Sequence, residues 1–149
     1  MALPRIAYLA LSVLFLSACS CKKSPDVQFI GEVKKLVRKS PQQIAAVLGK
    51  GKSKEDVKGF PCEHSDCEKR NYRNGQFEVI YKNKKSDRIT IHKVPDYTDN
   101  ENALESLGLP QQEPFIKTPK TIATYSNVEG IREISFFPDY IVIQVTEPD

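Results

Sequence analysis

Phe77-Glu78-Val79-Ile80-Tyr81-Lys82, a turn through Asn83–Asp87, and Arg88-Ile89-Thr90-Ile91-His92 form the stretch that decides the fold. Phe77, Val79 and Tyr81 alternate with Glu78, Ile80 and Lys82, and a period of two sends successive side chains to opposite faces of a strand. Asn71-Tyr72-Arg73 leads into this run through a second turn signal, Asn74-Gly75. Alternation between turn signals predicts a half-buried antiparallel meander.

Downstream, Pro95–Asn102 reads as a loop, followed by a short helix carrying Ala103, Leu104 and Leu107 and stopped by Gly108. A proline-rich connector from Pro110 to Pro119 precedes three more strands, Thr121–Ser126, Gly130–Phe137 and Tyr140–Thr146, with a tight turn at Pro138-Asp139. Upstream, residues 50–67 read as a polar, lysine-rich loop. Before it, Ser40-Pro41-Gln42-Gln43-Ile44 carries the marks of a helix start. Ser40 can cap, Pro41 suits the first helical position, Gln43 completes a capping box, and Gly49 supplies the stop. Another helix is expected from Ser24-Pro25 or Asp26, with Phe29, Ile30, Val33, Leu36 and Val37 on one face and Lys34, Lys35, Arg38 and Lys39 on the other.

The two halves resemble each other. Leu48-Gly49 recurs as Leu107-Gly108 at an offset of 59, and Tyr72-Arg73-Asn74 recurs as Tyr125-Ser126-Asn127 at an offset of 53. The expected fold class is α+β in two layers, short helices packed on an antiparallel sheet, with a tandem αβββ repeat. The domain runs from 26 to 149, its halves 26–94 and 95–149. Coincidence between two ordinary helix-plus-hairpin runs is the competing reading. Tyr72, Tyr81, Tyr97, Tyr125 and Tyr140 are expected to put phenols at the sheet edges, as ordinary strand residues or as lining for a binding surface.

Met1-Ala2-Leu3-Pro4-Arg5 carries one positive charge ahead of an apolar run from Ile6 to Leu16. Charge, a run of this length and small residues at its end make a secretory signal, since a spanning helix needs about 20 apolar residues. Leu16-Ser17-Ala18-Cys19 resembles the lipobox of bacterial lipoprotein precursors. That resemblance implies lipidation of the Cys19 thiol, cleavage before it and acylation of the new amino group. Residues 1–18 are then a signal peptide and 19–25 a lipidated tether. Several acyl chains hold a protein far better than one. Ser20 at the +2 position is not the aspartate that implies inner-membrane retention in enterobacterial lipoproteins. The implied address is the outer membrane, facing the periplasm.

The mature chain of 131 of the 149 residues is one domain's worth. Its charge is uneven: Lys22 to Lys93 holds 18 Lys/Arg against 9 Asp/Glu, whereas Val94 to Asp149 holds 3 against 10. Such a split is either two solvated surfaces or a basic half that faces anionic head groups or another envelope polymer. An exported, lipid-anchored chain does not meet nucleic acid in its normal work, so no nucleic-acid partner is expected.

Cys62-Glu63-His64-Ser65-Asp66-Cys67 is the cluster with ligand character. Two cysteines five apart in an oxidising compartment most often pair, and a Cys62–Cys67 disulfide is preferred. The alternative is a metal site of Cys62, His64 and Cys67, with Asp66 or His92 as fourth ligand. Cys21 is left over, as a free thiol or an intermolecular bridge. His64 and His92 sit in no nucleophile or zinc-protease motif, and Gly49-Lys50-Gly51-Lys52-Ser53 lacks the spacing of a phosphate loop. Neither a catalytic residue nor a cofactor is expected.

Ser-Pro-Gln-Gln-Ile-Ala-Ala-Val-Leu-Gly (40–49), followed by a meander holding Tyr72 and Phe77–Tyr81, resembles the SmpA/OmlA outer-membrane lipoproteins and is similar to the β-lactamase-inhibitor-like fold, a tandem of such units. Gly49 lacks the proline that commonly follows in that family. The resemblance implies the fold; partners do not transfer with it. The functional expectation is a lipid-anchored envelope protein whose non-catalytic domain binds another protein or supports an assembly. The alternative is a module for an anionic lipid, a glycan or a metal ion.

Overall fold

The computed structural model describes residues 30–58, 62, 63, 66–97, 101–118 and 122–145. The expected signal peptide, Cys19, Cys21, the expected tether and the expected helix start at Ser24 lie outside them. Among the described residues the fold is α+β: one α-helix, α1 (Pro41–Leu48), and three 3-10 segments accompany an eight-stranded antiparallel sheet. The strands are β1 (Lys52–Asp56), β2 (Cys67–Tyr72), β3 (Phe77–Lys82), β4 (Lys85–His92), β5 (Ile116–Thr118), β6 (Ile122–Val128), β7 (Ile131–Phe136) and β8 (Tyr140–Gln144). Their order is β1-β2-β3-β4-β8-β7-β6-β5, so the last strand of the chain closes against β4 at the centre.

The meander sets this arrangement. Val79 pairs with Ile89 and Phe77 with Ile91; beyond β4, Ile143 and Ile141 continue those rows, then Ile134 and Phe136, then Tyr125 and Ala123. All of these are buried on one face, together with Val33, Leu36, Ile44 and Leu48 from the first half and Ala103, Leu104 and Leu107 from the second. Cross-strand pairs of β-branched and aromatic residues are the unit of sheet stability, and here they run unbroken across the middle of the sheet.

α1 forms as its start signals demand. Ser40 Oγ accepts from the Gln43 N–H at 3.3 Å, and the Gln43 side chain accepts from the Ser40 N–H at 3.0 Å. Its stripe of Ile44 and Leu48 is buried against the sheet. Gly51, just past the helix, presses against a ring: a Cβ there would stand 2.8 Å from Tyr72 Cε1. Tyr72 cannot retreat, because its hydroxyl is 2.6 Å from that of Tyr81 and both rings are buried.

Several expectations change. Residues 29–37 form no amphipathic helix among the described residues: Val33–Lys35 is a single 3-10 turn, and Arg38 at φ 56° ends it. Val33 and Leu36 are still buried, so the apolar spacing was real and only its geometry differs. The 50–67 loop contains β1, and the Pro110–Pro119 connector contains β5. Both are edge strands with one neighbour each. The β3–β4 turn is shorter than Asn83–Asp87: Asn83 and Lys84 alone take left-handed φ, 51° and 62°, as a two-residue hairpin turn demands. Ala103–Leu107 is a 3-10 helix, closed by Gly108 at φ 67°.

Candidate functional site

The helices lie over one face of the sheet, and the opposite face is where a site has to be sought. Cross-strand pairing builds it row by row. One row reads Lys52, Asn71, Glu78, Thr90, Val142, Ser135, Thr124, Ile116; the next carries Lys69, Ile80, Arg88, Gln144, Glu133 and Ser126. The middle of the face is hydroxyl-rich and internally bonded. Thr124 Oγ1 and Ser135 Oγ lie 3.0 Å apart, and Ser135 Oγ donates to Glu133 Oε1 at 3.2 Å. Gln144 Nε2 donates to the buried Asp87 carboxylate at 3.2 Å. Arg88 Nε, also buried, has no hydrogen-bond partner.

At the end of this face where β4 meets β8, His92 stands opposite Tyr140, their rings 6.4 Å apart. Phe137 stacks on Tyr140 with centroids 4.4 Å apart and planes 10° from parallel. Asn71, Glu78, His92 and Asp139 line a shallow cleft beside them. The cleft thus presents the Asp139 carboxylate, the His92 imidazole, the Asn71 amide and the exposed Lys93 beside the half-exposed Tyr140, with Glu78 paired to Lys69 at 3.7 Å. Among the described residues no group of three or more His, Cys, Asp or Glu is placed to hold a metal ion.

The opposite end of the same face is closed by the cysteine loop. Cys62 and Cys67 are joined at disulfide distance, with Cα atoms 5.8 Å apart. With Ile80 and Val57 they form a small second apolar cluster. The preferred pairing thus shapes the loop against the sheet. The metal alternative of Cys62, His64 and Cys67 needs both thiolates free, and the bridge consumes them; His64 lies outside the described residues. His92, its suggested fourth ligand, sits instead beside Tyr140.

The tyrosines require a correction. Tyr72, Tyr81, Tyr97 and Tyr125 are buried in the core, not displayed at the sheet edges. Burial, reinforced by the hydrogen bond to Tyr72, pushes the Tyr81 phenol far above its ordinary range. Burial likewise raises Tyr97, against a smaller lowering from Ser106, and raises Tyr125 with help from Glu113. Tyr140 alone of the five is half-exposed. Alternation within the meander could have found this, since Tyr81 shares the parity of Phe77 and Val79.

On the helix side of the second half, a groove of about 530 Å³ opens between the Glu101-Asn102 and Gln111–Pro114 loops, floored by Ala123 and Tyr125. It exists because a five-residue 3-10 helix covers less sheet than α1 does. Its carboxamides already bond within the protein: Gln111 Nε2 donates to Asn102 Oδ1 at 3.0 Å and Gln112 Nε2 to the Ser126 carbonyl at 2.8 Å. Sequence gave no signal for this groove.

No protein family, curated protein or solved structure matches this chain.

Proposed function

We propose that this chain is a lipid-anchored cell-envelope lipoprotein, held by Cys19 in the outer membrane and facing the periplasm, whose domain binds another protein or supports an assembly without catalysis. The helix-free sheet face carries the binding half of this reading. It runs across all eight strands, bears a polar centre, and ends in the Phe137–Tyr140 stack beside His92. Aromatic anchors within a polar surround are the usual make-up of a protein interface. The anchor half rests on Leu16-Ser17-Ala18-Cys19 after an apolar run.

The two halves are further read as a duplicated unit, like the tandem of the β-lactamase-inhibitor-like fold. The mirrored strand order supports this, as do the Leu-Gly stops after α1 and Leu107 and the buried Tyr72 and Tyr125. Each unit then contributes four strands, not the three expected from sequence.

A photo-crosslinking residue at Val142, in the middle of the helix-free face, tests the binding reading in intact cells. One stoichiometric protein adduct is expected from Val142 and none from the same probe at Glu105 on the helix side. Equal, diffuse labelling from both positions would sink it.

A further inference from the structure

We propose that the corner formed by Arg38, Lys39, Lys84 and Lys85 docks onto the anionic headgroups of the membrane in which the Cys19 lipid sits. This inference rests on the anchored reading above and adds to it a second, electrostatic attachment with defined residues.

One buried serine builds the corner. Ser86, 1 % exposed, donates its N–H to the Lys39 carbonyl at 2.9 Å, and its Oγ accepts the Lys39 N–H at 3.0 Å while donating to the Leu36 carbonyl. Three bonds thus clamp the loop after the first 3-10 turn onto the start of β4. Lys39 and Lys85 become neighbours although they are far apart in sequence. Lys82 stands opposite Lys85 across the hairpin.

The local backbone is committed to this display. Arg38 at φ 56° and Lys84 at φ 62° occupy the left-handed region, which residues other than glycine and asparagine visit at a cost. Both side chains are exposed. Among the described residues, none of Arg38, Lys39, Lys84 and Lys85 makes an ion pair, whereas Lys34, Lys35, Lys69 and Arg70 do. The acids nearby leave the corner positive: Glu129 is paired with Lys34, and Asp87 is buried against Gln144. Asp66 is the exposed exception, placed beside the turn where its carbonyl accepts the Asn83 N–H.

Reach favours a membrane over a soluble anion. Ile30 is eleven residues beyond Cys19, and extended chain covers at most about 3.5 Å per residue, roughly 38 Å in all. The first described residues are fixed by Ile30 N–H donating to the Ser106 carbonyl at 2.7 Å, and the clamp at Leu36 follows six residues later. An anchor at Cys19 therefore keeps Ile30 within roughly 38 Å of the membrane, which lets the corner reach the thin layer where the surface potential acts. Cations on long, flexible stems spread over two loops suit a charged plane better than one compact ligand.

The test uses the chain from residue 19 onward carrying Cys19→Ser, so that no lipid contributes. Among the described residues the core runs from Val33 to Val145, all of it within this chain. Binding is measured to vesicles of phosphatidylcholine with about one-third phosphatidylglycerol, and to phosphatidylcholine alone, at low salt and at ~0.15 M salt. Binding to the anionic vesicles only, weakened by salt, is expected. Lys84→Gln with Lys85→Gln should lower the affinity about 25-fold, at about fivefold for each cation near the surface. Lys50→Gln with Lys117→Gln, both exposed elsewhere, should leave it within about twofold. No binding to anionic vesicles at low salt overturns the proposal. So does an equal loss in the two double variants, or preference for a soluble polyanion such as heparin over the vesicles. An unlipidated Cys19 in native membranes would remove the anchored reading but not alter the vesicle result, so the two failures are distinguishable.

Discussion

Removing the Tyr81 hydroxyl tests the core most sharply. Tyr72 and Tyr81 place their Oη atoms 2.6 Å apart, with both residues buried. Each hydroxyl is the other's hydrogen-bond partner, and nothing else described bonds either one. Tyr81→Phe deletes one hydroxyl and leaves that of Tyr72 buried and unsatisfied, which costs about 1–3 kcal/mol. Tyr72→Phe should cost the same by symmetry. The double variant leaves no orphan, so its loss should be no more than about 1 kcal/mol, well below the sum of the singles. Urea unfolding of the four proteins, followed by circular dichroism, measures this cycle. Stabilities that add to within ~0.5 kcal/mol would refute the reasoning, since independent sites behave that way.

Further outcomes follow from the same structure. Gly51→Ala should destabilise by about 1–3 kcal/mol in thermal melts, because its Cβ would stand 2.8 Å from the locked Tyr72 ring. Ser40→Ala removes the acceptor of the capping box and should cost about 1 kcal/mol in urea unfolding. Reducing Cys62–Cys67, or changing both to alanine, should cost about 2 kcal/mol, the loop closed being short. Alkali should destabilise: Tyr81, Tyr97 and Tyr125 all have phenols raised above 10.0 in the folded chain. Above that pH the unfolded chain loses protons that the folded chain keeps, so stability falls by at most about 1.4 kcal/mol per pH unit per tyrosine. Flat stability between neutral pH and 11 would contradict the burial of these phenols.

How much could be read from the chain alone follows from the kind of signal each element carries. β3 and β4 announce themselves because Phe77, Val79, Ile89 and Ile91 repeat at two over a buried face. The last three strands were legible for the same reason. β1 was invisible because Lys52-Ser53-Lys54-Glu55-Asp56 has no apolar alternation, and an edge strand with one neighbour needs none. β5 was hidden inside a proline-rich run. The spacing of Val33, Leu36 and Val37 suited a helix, and Arg38 in a left-handed conformation, which sequence does not report, stopped it. The candidate anchor is a linear motif that lies outside the described residues, and it rests on the sequence alone. The basic corner was not legible in the chain, because Lys39 and Lys85 meet only through the bonds of Ser86.

That corner also changes how the charge asymmetry is understood. The excess of 18 basic over 9 acidic residues in the first half is not spread evenly over its surface. Part is neutralised in pairs such as Lys69–Glu78 at 3.7 Å and Arg70–Glu68 at 2.8 Å. Four of the others, Arg38, Lys39, Lys84 and Lys85, meet where the hairpin turn packs on the loop after the first 3-10 turn, while Lys50, Lys58 and Lys93 are exposed elsewhere. The helix-free face, by contrast, is polar but internally bonded.

The proposed lipid anchor at Cys19 is tested by the intact mass of the protein extracted from its native membranes. The mass expected is that of a chain from Cys19 to Asp149, lighter by two hydrogens for the Cys62–Cys67 bridge and heavier by a diacylglyceryl group and one further acyl chain, all on Cys19. A chain that keeps Met1, or one that begins at Cys19 without lipid, would contradict it.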